Sequence, residues 1–345
     1  MTGKYRAHDR ERVGFCAALL AIAVLLRVAT AAQTQDRLRE AAESSAVIAA
    51  LLQLESGGTV QTGEPQTEDY TFAALEFVEQ TADEAESDEP DAETALEWTQ
   101  EDAARVVIAG TSTYAVDAAE LLAQPLDLSI TSEAPQVLII HTHASEAYTP
   151  EAGWEYEATD TLRTSDTDYN VVRVGQTIAD ALTARGIGVI HDTTIRDYPS
   201  YNGSYTRTLA AIEEYLAEYP TIGIVLDVHR DAAENADGTP VAVRCTVDGE
   251  SAAQLMFVVG TDEGGLSHPN WRKNLALAAR LQALLTRETE DLCRPIDLRT
   301  ERFNQHATTG SLLVEVGASG NTLQEALRAA EQFADALAEI VEDST

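Results

Sequence analysis

Val137-Leu138-Ile139-Ile140-His141-Thr142-His143-Ala144-Ser145-Glu146 is an apolar, β-branched run that breaks at once into polar residues. It reads as a buried strand that runs out at a chemically active edge. The same design recurs twice. Ile222-Gly223-Ile224-Val225-Leu226-Asp227-Val228-His229-Arg230-Asp231 is a second apolar run ending in a histidine, and Ser311-Leu312-Leu313-Val314-Glu315-Val316-Gly317 is a third, interrupted by a carboxylate. Continuous apolar runs of this kind belong to strands covered on both faces, as in a mostly parallel sheet.

Helical patterns fill the gaps between these strands. Asn170 to Ala184 has an apolar face closed by Gly186, and Ile187-Gly188-Val189-Ile190 makes the next strand. Thr206 to Glu218, Trp271 to Thr286 and Leu323 to Val341 carry helical spacing, the last opened by a capping box of Thr322 and Glu325. Val241-Ala242-Val243 and Leu255 to Val259 read as paired strands, and Ala103 to Leu126 as an added strand and helix at the domain edge. Strands alternating with helices predict an α/β fold, a mostly parallel twisted sheet with helices on both faces. Ligands in such sheets bind outside the carboxyl ends of the strands, which is where the three polar breaks fall.

The residue types at those breaks suit a zinc hydrolase. His143 and Glu146 stand three residues apart, so one turn of helix puts both on one side, and His229 supplies a second imidazole. Three such protein ligands leave a fourth position for water. Glu315 interrupts a buried strand, where an unpaired carboxylate costs several kcal/mol, and is the candidate proton carrier. Arg302 is the second catalytic candidate. His141 shares the strand face of His143 by the alternation rule, as an alternative ligand or a hydrogen-bond partner, and Asp168 is an alternative acid to Glu146. Arg230, Asp231, Asn304 and Gln305 are candidates to orient the ligands or bind substrate, an Arg fork and amides suiting a peptide or an N-acetyl group. His229-Arg230-Asp231 followed by Asn235 is no kinase catalytic loop, because no glycine-rich phosphate loop or Asp-Phe-Gly accompanies it.

Upstream, the chain is built for export. Lys4, Arg6, Arg10 and Arg12 in the basic tail 1–13 precede an apolar segment at 14–32, read as a transmembrane anchor or, with cleavage near Ala31, a signal segment. Residues 33–102 lack Lys and Arg beyond Arg39 and accumulate Asp and Glu, the composition of a solvated linker that is partly helical near the membrane. Residues 103–345 form the catalytic domain. The expected location is a membrane-anchored domain outside the cytoplasm, the alternative a secreted one. A formal net charge of −35 argues against nucleic-acid binding. Cys245 and Cys293 are too few for a disulfide framework, and their pairing stays open; no Cys-x-x-Cys spacing makes a zinc ribbon.

Five blocks, in order, resemble the stage II sporulation protein P family of spore-forming bacteria. They are His141-Thr142-His143-Ala144-Ser145-Glu146-Ala147-Tyr148, Asn170-Val171-Val172-Arg173-Val174-Gly175, Asp227-Val228-His229-Arg230-Asp231-Ala232, Arg302-Phe303-Asn304-Gln305, and Leu313-Val314-Glu315-Val316-Gly317 with Asn321-Thr322. The resemblance covers about Val137 to Val341. It implies a zinc-dependent N-acetylmuramoyl-L-alanine amidase that cuts peptidoglycan between the lactyl group and L-alanine during engulfment. It also implies a zinc amidase or metallocarboxypeptidase-like fold, a retained membrane anchor, and work beside a glycan-cleaving enzyme and a membrane scaffold. A zinc peptidoglycan peptidase or carboxypeptidase uses the same residues on another bond, and a catalytically silent wall-binding scaffold keeps the fold alone.

Overall fold

The computed structural model describes residues 96–344, Ser132 excepted. The basic tail 1–13, the apolar segment 14–32 and the acidic stretch as far as residue 95 lie outside the described residues. Among those described, no helix is long and apolar enough to cross a membrane.

In chain order the elements are α1 (Gln100–Arg105), β1 (Ile108–Gly110), α2 (Ala118–Ala123), β2 (Val137–Ile140), α3 (Val171–Ala184), β3 (Val189–His191), α4 (Ser204–Glu218) and β4 (Ile224–Asp231). They continue with β5 (Arg244–Val247), β6 (Glu250–Ala253), β7 (Leu255–Gly260), α5 (Trp271–Glu288), β8 (Ile296–Arg299), a 3₁₀ turn (Gln305–Ala307), β9 (Gly310–Ala318) and α6 (Leu323–Asp343). The packed unit begins ahead of residue 103. Thr99 and Asp102 close a capping box on α1, and both Asp102 carboxylate oxygens accept from Arg287 of α5, at 2.8 and 3.0 Å.

Seven strands form one sheet in the order β1-β8-β7-β9-β4-β2-β3. All pairs are parallel except β7 with β9. That reversal divides the sheet into two blocks, so β2, β3, β4 and β9 end on one edge and β1, β7 and β8 on the other. The polar breaks after β2, in β4 and in β9 therefore meet at a common edge. Register tightens this, because Glu315 of β9 lies directly beside His229 of β4.

Alternation along the strands sorts the two faces. Val137, Ile139, Ile224, Leu226, Val228, Val314 and Val316 join the large core formed with α3, α5 and α6. Leu138, Ile140 and Val225 face the other way, onto Ile212, Tyr215 and Leu216 of α4. Helices thus cover both faces, and Asp227, His229 and Glu315 fall by alternation on the α4 side. α3 starts from its Asn170 side chain, which accepts from Val172, and the α6 capping box of Thr322 and Glu325 is present as expected.

Two local expectations need correcting. Val241 to Val243 is not a strand, and Leu255–Gly260 has other partners; the small antiparallel pair is β5 with β6. Asp248 and Gly249 turn it, with φ of 52° and 84°, the positive angles a tight two-residue hairpin demands. β8 was also hidden in the sequence, since Pro295, Asp297 and Arg299 break up its apolar character. It pairs β7 and β1 near the sheet margin, where alternation of buried and half-exposed residues suffices.

Candidate active site

The backbone leaves β2 at Ile140 and turns through His141 to Ser145, and this turn delivers His143 and Glu146 to the α4 side of the sheet edge. The His143 ring lies 5.3 Å from that of His229, centre to centre and nearly perpendicular. Nδ1 of His229 is 3.4 Å from Oε2 of Glu146. All three side chains are buried. Glu146 is held in place from two directions: Arg163 donates to its Oε1 at 3.2 Å, and the backbone N–H of Arg230 donates to Oε2 at 3.2 Å.

Two further carboxylates complete the surroundings. Asp227 accepts from the backbone N–H and hydroxyl of Thr142, at 2.7 and 2.6 Å, and its Oδ1 is 2.8 Å from His229 Nε2. That last contact is of ion-pair length but off the N–H direction, so His229 Nε2 has no hydrogen-bond partner. Asp197 accepts from Ser145 N–H and hydroxyl and from Arg163, and lies 3.9 Å from His143 Nδ1. Burial disfavours the charged form of His229, yet Asp227 and Glu146 outweigh it and raise its pKa well above the ordinary value. Burial likewise opposes the charge of Glu146, but His229, Arg230 and His143 hold its pKa down near 2. Glu315 has the opposite fate. Burial, reinforced by the charge of Glu146, outweighs the nearby His229 and pushes it up to about 8, and its Oε2 is shut from solvent with no hydrogen-bond partner.

A family model for stage II sporulation protein P matches residues 41–338. The chain belongs to that family. Among curated relatives, stage II sporulation protein P of Bacillus subtilis (strain 168) is 29% identical over 225 residues, which cover 62% of this chain and 53% of the relative. The chain therefore spans about half the length of the curated relative it matches. The matched region contains all four residues that converge at the sheet edge, in a family of sporulation proteins.

In this member of the family, the structure distributes the candidate residues unevenly. His143, Glu146, His229 and Glu315 meet as described. Arg230 supports them: its Nε donates to Ala147 O at 2.9 Å and its Nη2 to Leu162 O at 3.0 Å, pinning the loop that carries Glu146. Asp231 pairs with Arg294 at 2.8 Å. His141 does not share a side with His143. Its Nδ1 is 2.9 Å from Val228 O and its Nε2 2.9 Å from His191 Nε2, beneath Gly175 of α3. The alternation rule misplaced it because β2 ends at Ile140 and the chain turns, so the two histidines go to opposite sides.

Four candidates lie away from the convergence. Arg302 donates to Ser267 O at 3.1 Å and its charge acts on His268 and His306. Gln305 is buried and binds the end of β7 at both amide atoms, accepting from Gly260 N and donating to Val258 O, each at 2.7 Å. Both ends of its amide are thus committed to the close of β7, where it acts as a strand cap. Asn304 donates to Tyr205 O at 2.8 Å, and Asp168 is exposed with only a local turn contact to Asp166. The residues that sequence reading missed are Arg163, Asp197, Tyr201 and Asp227. Only Asp227 carried a signal, an acid two residues before His229 on the same strand face.

The donor chemistry at the edge fits zinc in part. Two donors each about 2.1 Å from a tetrahedral zinc stand about 3.4 Å apart, the separation found between His229 Nδ1 and Glu146 Oε2. His143 instead turns its Nδ1 toward Ser204 Oγ, at 3.5 Å, and Asp197. Among the described residues, no group of three or more His, Cys, Asp or Glu side chains stands ready to hold a metal ion.

Proposed function

We propose that the chain is a zinc-dependent N-acetylmuramoyl-L-alanine amidase that remodels the cell wall during sporulation. The observation that carries this reading is the meeting of His143, Glu146 and His229 with the unpaired carboxyl of Glu315 at one sheet edge. His143, Glu146 and His229 are the residues that would hold zinc, with a fold of the zinc amidase and metallocarboxypeptidase kind. When bound, zinc supplies a polarised scissile carbonyl and an acidified water.

Glu315 does the proton work. A carboxyl with pKa pushed up to about 8 lies near the working pH, so it takes and returns protons with little free-energy penalty. It removes a proton from the attacking water and hands it to the leaving nitrogen. The amide C–N bond breaks, giving a lactyl carboxylate on the sugar and a free amine on L-alanine. Asp227 fixes His229 electrostatically, and Arg163 and Arg230 hold Glu146 ionised and aimed. Attachment of the domain outside the cytoplasm by the 14–32 segment, and partnership with a glycan-cleaving enzyme and a membrane scaffold, belong to the same reading.

Digestion of purified wall tests it. An amidase releases stem peptides that begin with L-alanine and leaves lactyl-muramic ends; a zinc peptidase releases shortened peptides, and a wall-binding scaffold releases neither. Either of the last two products by mass spectrometry overturns the proposal.

A further inference from the structure

Residues 197–203, between the buried Asp197 and the start of α4, form a loop that is anchored yet exposes aromatic surface. Asp197 plugs its first residue into the site through Ser145 and Arg163. Arg207 ties down the rest, donating to the carbonyls of Arg196 at 2.9 Å, Asn202 at 3.0 Å and Ser200 at 2.7 Å. On this clamped backbone Tyr198 is 50% exposed and Tyr201 54% exposed. Tyr201 stacks on the His143 ring, 4.4 Å centre to centre and 7° from parallel, and the Arg163 guanidinium lies 5.2 Å from its ring centre. With its ring engaged by His143 and Arg163, Tyr201 offers an edge and a hydroxyl. Tyr198 has no ring or hydrogen-bond partner among the described residues and offers a face.

We propose that the 197–203 loop is a sugar-binding rim of the site, on which Tyr198 stacks against an uncharged pyranose ring and Tyr201 meets its hydroxyl edge. The proposal rests on the peptidoglycan reading above and names the side of the substrate this wall takes. Charge decides for a neutral ligand. Each cation around the loop is already engaged, Arg163 by Glu146 and Asp197, Arg196 by Asp192 at 2.6 Å, and Arg207 by three carbonyls. A carboxylate-bearing peptide finds no free partner here and is repelled by a strongly acidic chain. An aromatic ring with a hydroxyl matches a sugar, which has an apolar C–H face and a polar rim. Because the loop is fixed beforehand, little ordering cost falls on binding.

The test is calorimetric titration of the full-length chain with N,N′,N″-triacetylchitotriose, a neutral sugar that has no amide of the scissile kind. Wild type should bind, and Tyr198→Ala and Tyr201→Ala should each weaken binding about tenfold, from loss of one buried aromatic contact. Tyr201→Phe, which keeps the stack on His143, should weaken it only about threefold. Tyr198 is half-exposed and makes no ring contact or hydrogen bond among the described residues, so its alanine variant disturbs the fold less and keeps the test valid if Tyr201→Ala does not fold. No binding by wild type, or an unchanged Kd in Tyr198→Ala, overturns the rim. Wall digestion separates the two readings: sugar binding without amide cleavage removes the amidase and leaves the rim, and cleavage without sugar binding does the reverse.

Discussion

Two histidine pairs lie on opposite sides of the sheet, fed by the same short turn. His141 and His191 sit under α3 with their ring nitrogens engaged, and burial drives their pKa values down to about 4 and about 3. His143 and His229 sit toward α4 among Glu146, Asp197 and Asp227, where His229 keeps an unpartnered nitrogen and its pKa is raised despite burial. Residue type is the same in both pairs, and three of the four rings are buried, His191 being half-buried. What differs is the company: an apolar helix with hydrogen-bond partners makes imidazole a packing element, and acids with an unsatisfied nitrogen make it a candidate ligand.

The contrast breaks if both pairs behave alike on mutation. His143→Ala and His229→Ala should each cut wall-digesting activity by roughly 10²-fold or more, whereas His141→Asn, whose amide still donates toward Val228 O, should retain most of it per folded molecule. Product release from purified wall, normalised to folded protein by circular dichroism, measures this. Equal losses at 141 and 143 would remove the distinction.

Glu315 sharpens the same contrast through stability. Its folded pKa of about 8 lies above the ordinary 4.5, so the wild type has its full stability below the lower value and loses it as pH rises through the upper one. Glutamine imitates the protonated carboxyl at every pH. In chelator-treated protein, Glu315→Gln should match wild type near pH 5 and exceed it by on the order of a few kcal/mol near pH 9. Urea melts at the two pH values read the difference, and a constant gap counts against a buried, uncompensated carboxyl.

The smallest effect concerns the packing pair. A Cβ on Gly175 would lie 2.6 Å from His141 Nε2 and 2.8 Å from His191 Nε2. Gly175→Ala should destabilise by about 1–3 kcal/mol through overpacking and lower Tm by several degrees. An unchanged melt would mean that α3 does not press on the pair.

Sequence reading reached the central sheet because Val137 to Ile140, Ile224 to His229 and Leu312 to Val316 are buried on both faces and so carry their signal locally. It reached His143, Glu146, His229 and Glu315 for the same reason, as polar breaks in apolar runs. Arg163 and Asp197 escaped because loops bring them in, and loop paths are set by tertiary packing. His141 was wrongly grouped with His143 because strand alternation was carried as far as residue 143, three residues past the end of β2. Asp248-Gly249 was a readable turn signal, and Gln305 looked functional only because an amide that caps a buried strand end resembles, in sequence, one that waits for substrate.

The hydrogen bond between His141 Nδ1 and the carbonyl of Val228 crosses from one layer of the protein to the other. It orients the peptide plane that leads directly into His229, so the angle of that imidazole is indexed from beneath the sheet. Transplanting this edge to a new scaffold would thus require carrying a keyed underside along with the visible mouth. Copying the upper residues alone would keep Asp227 and Glu146 beside His229 but lose the contact that holds its strand from below.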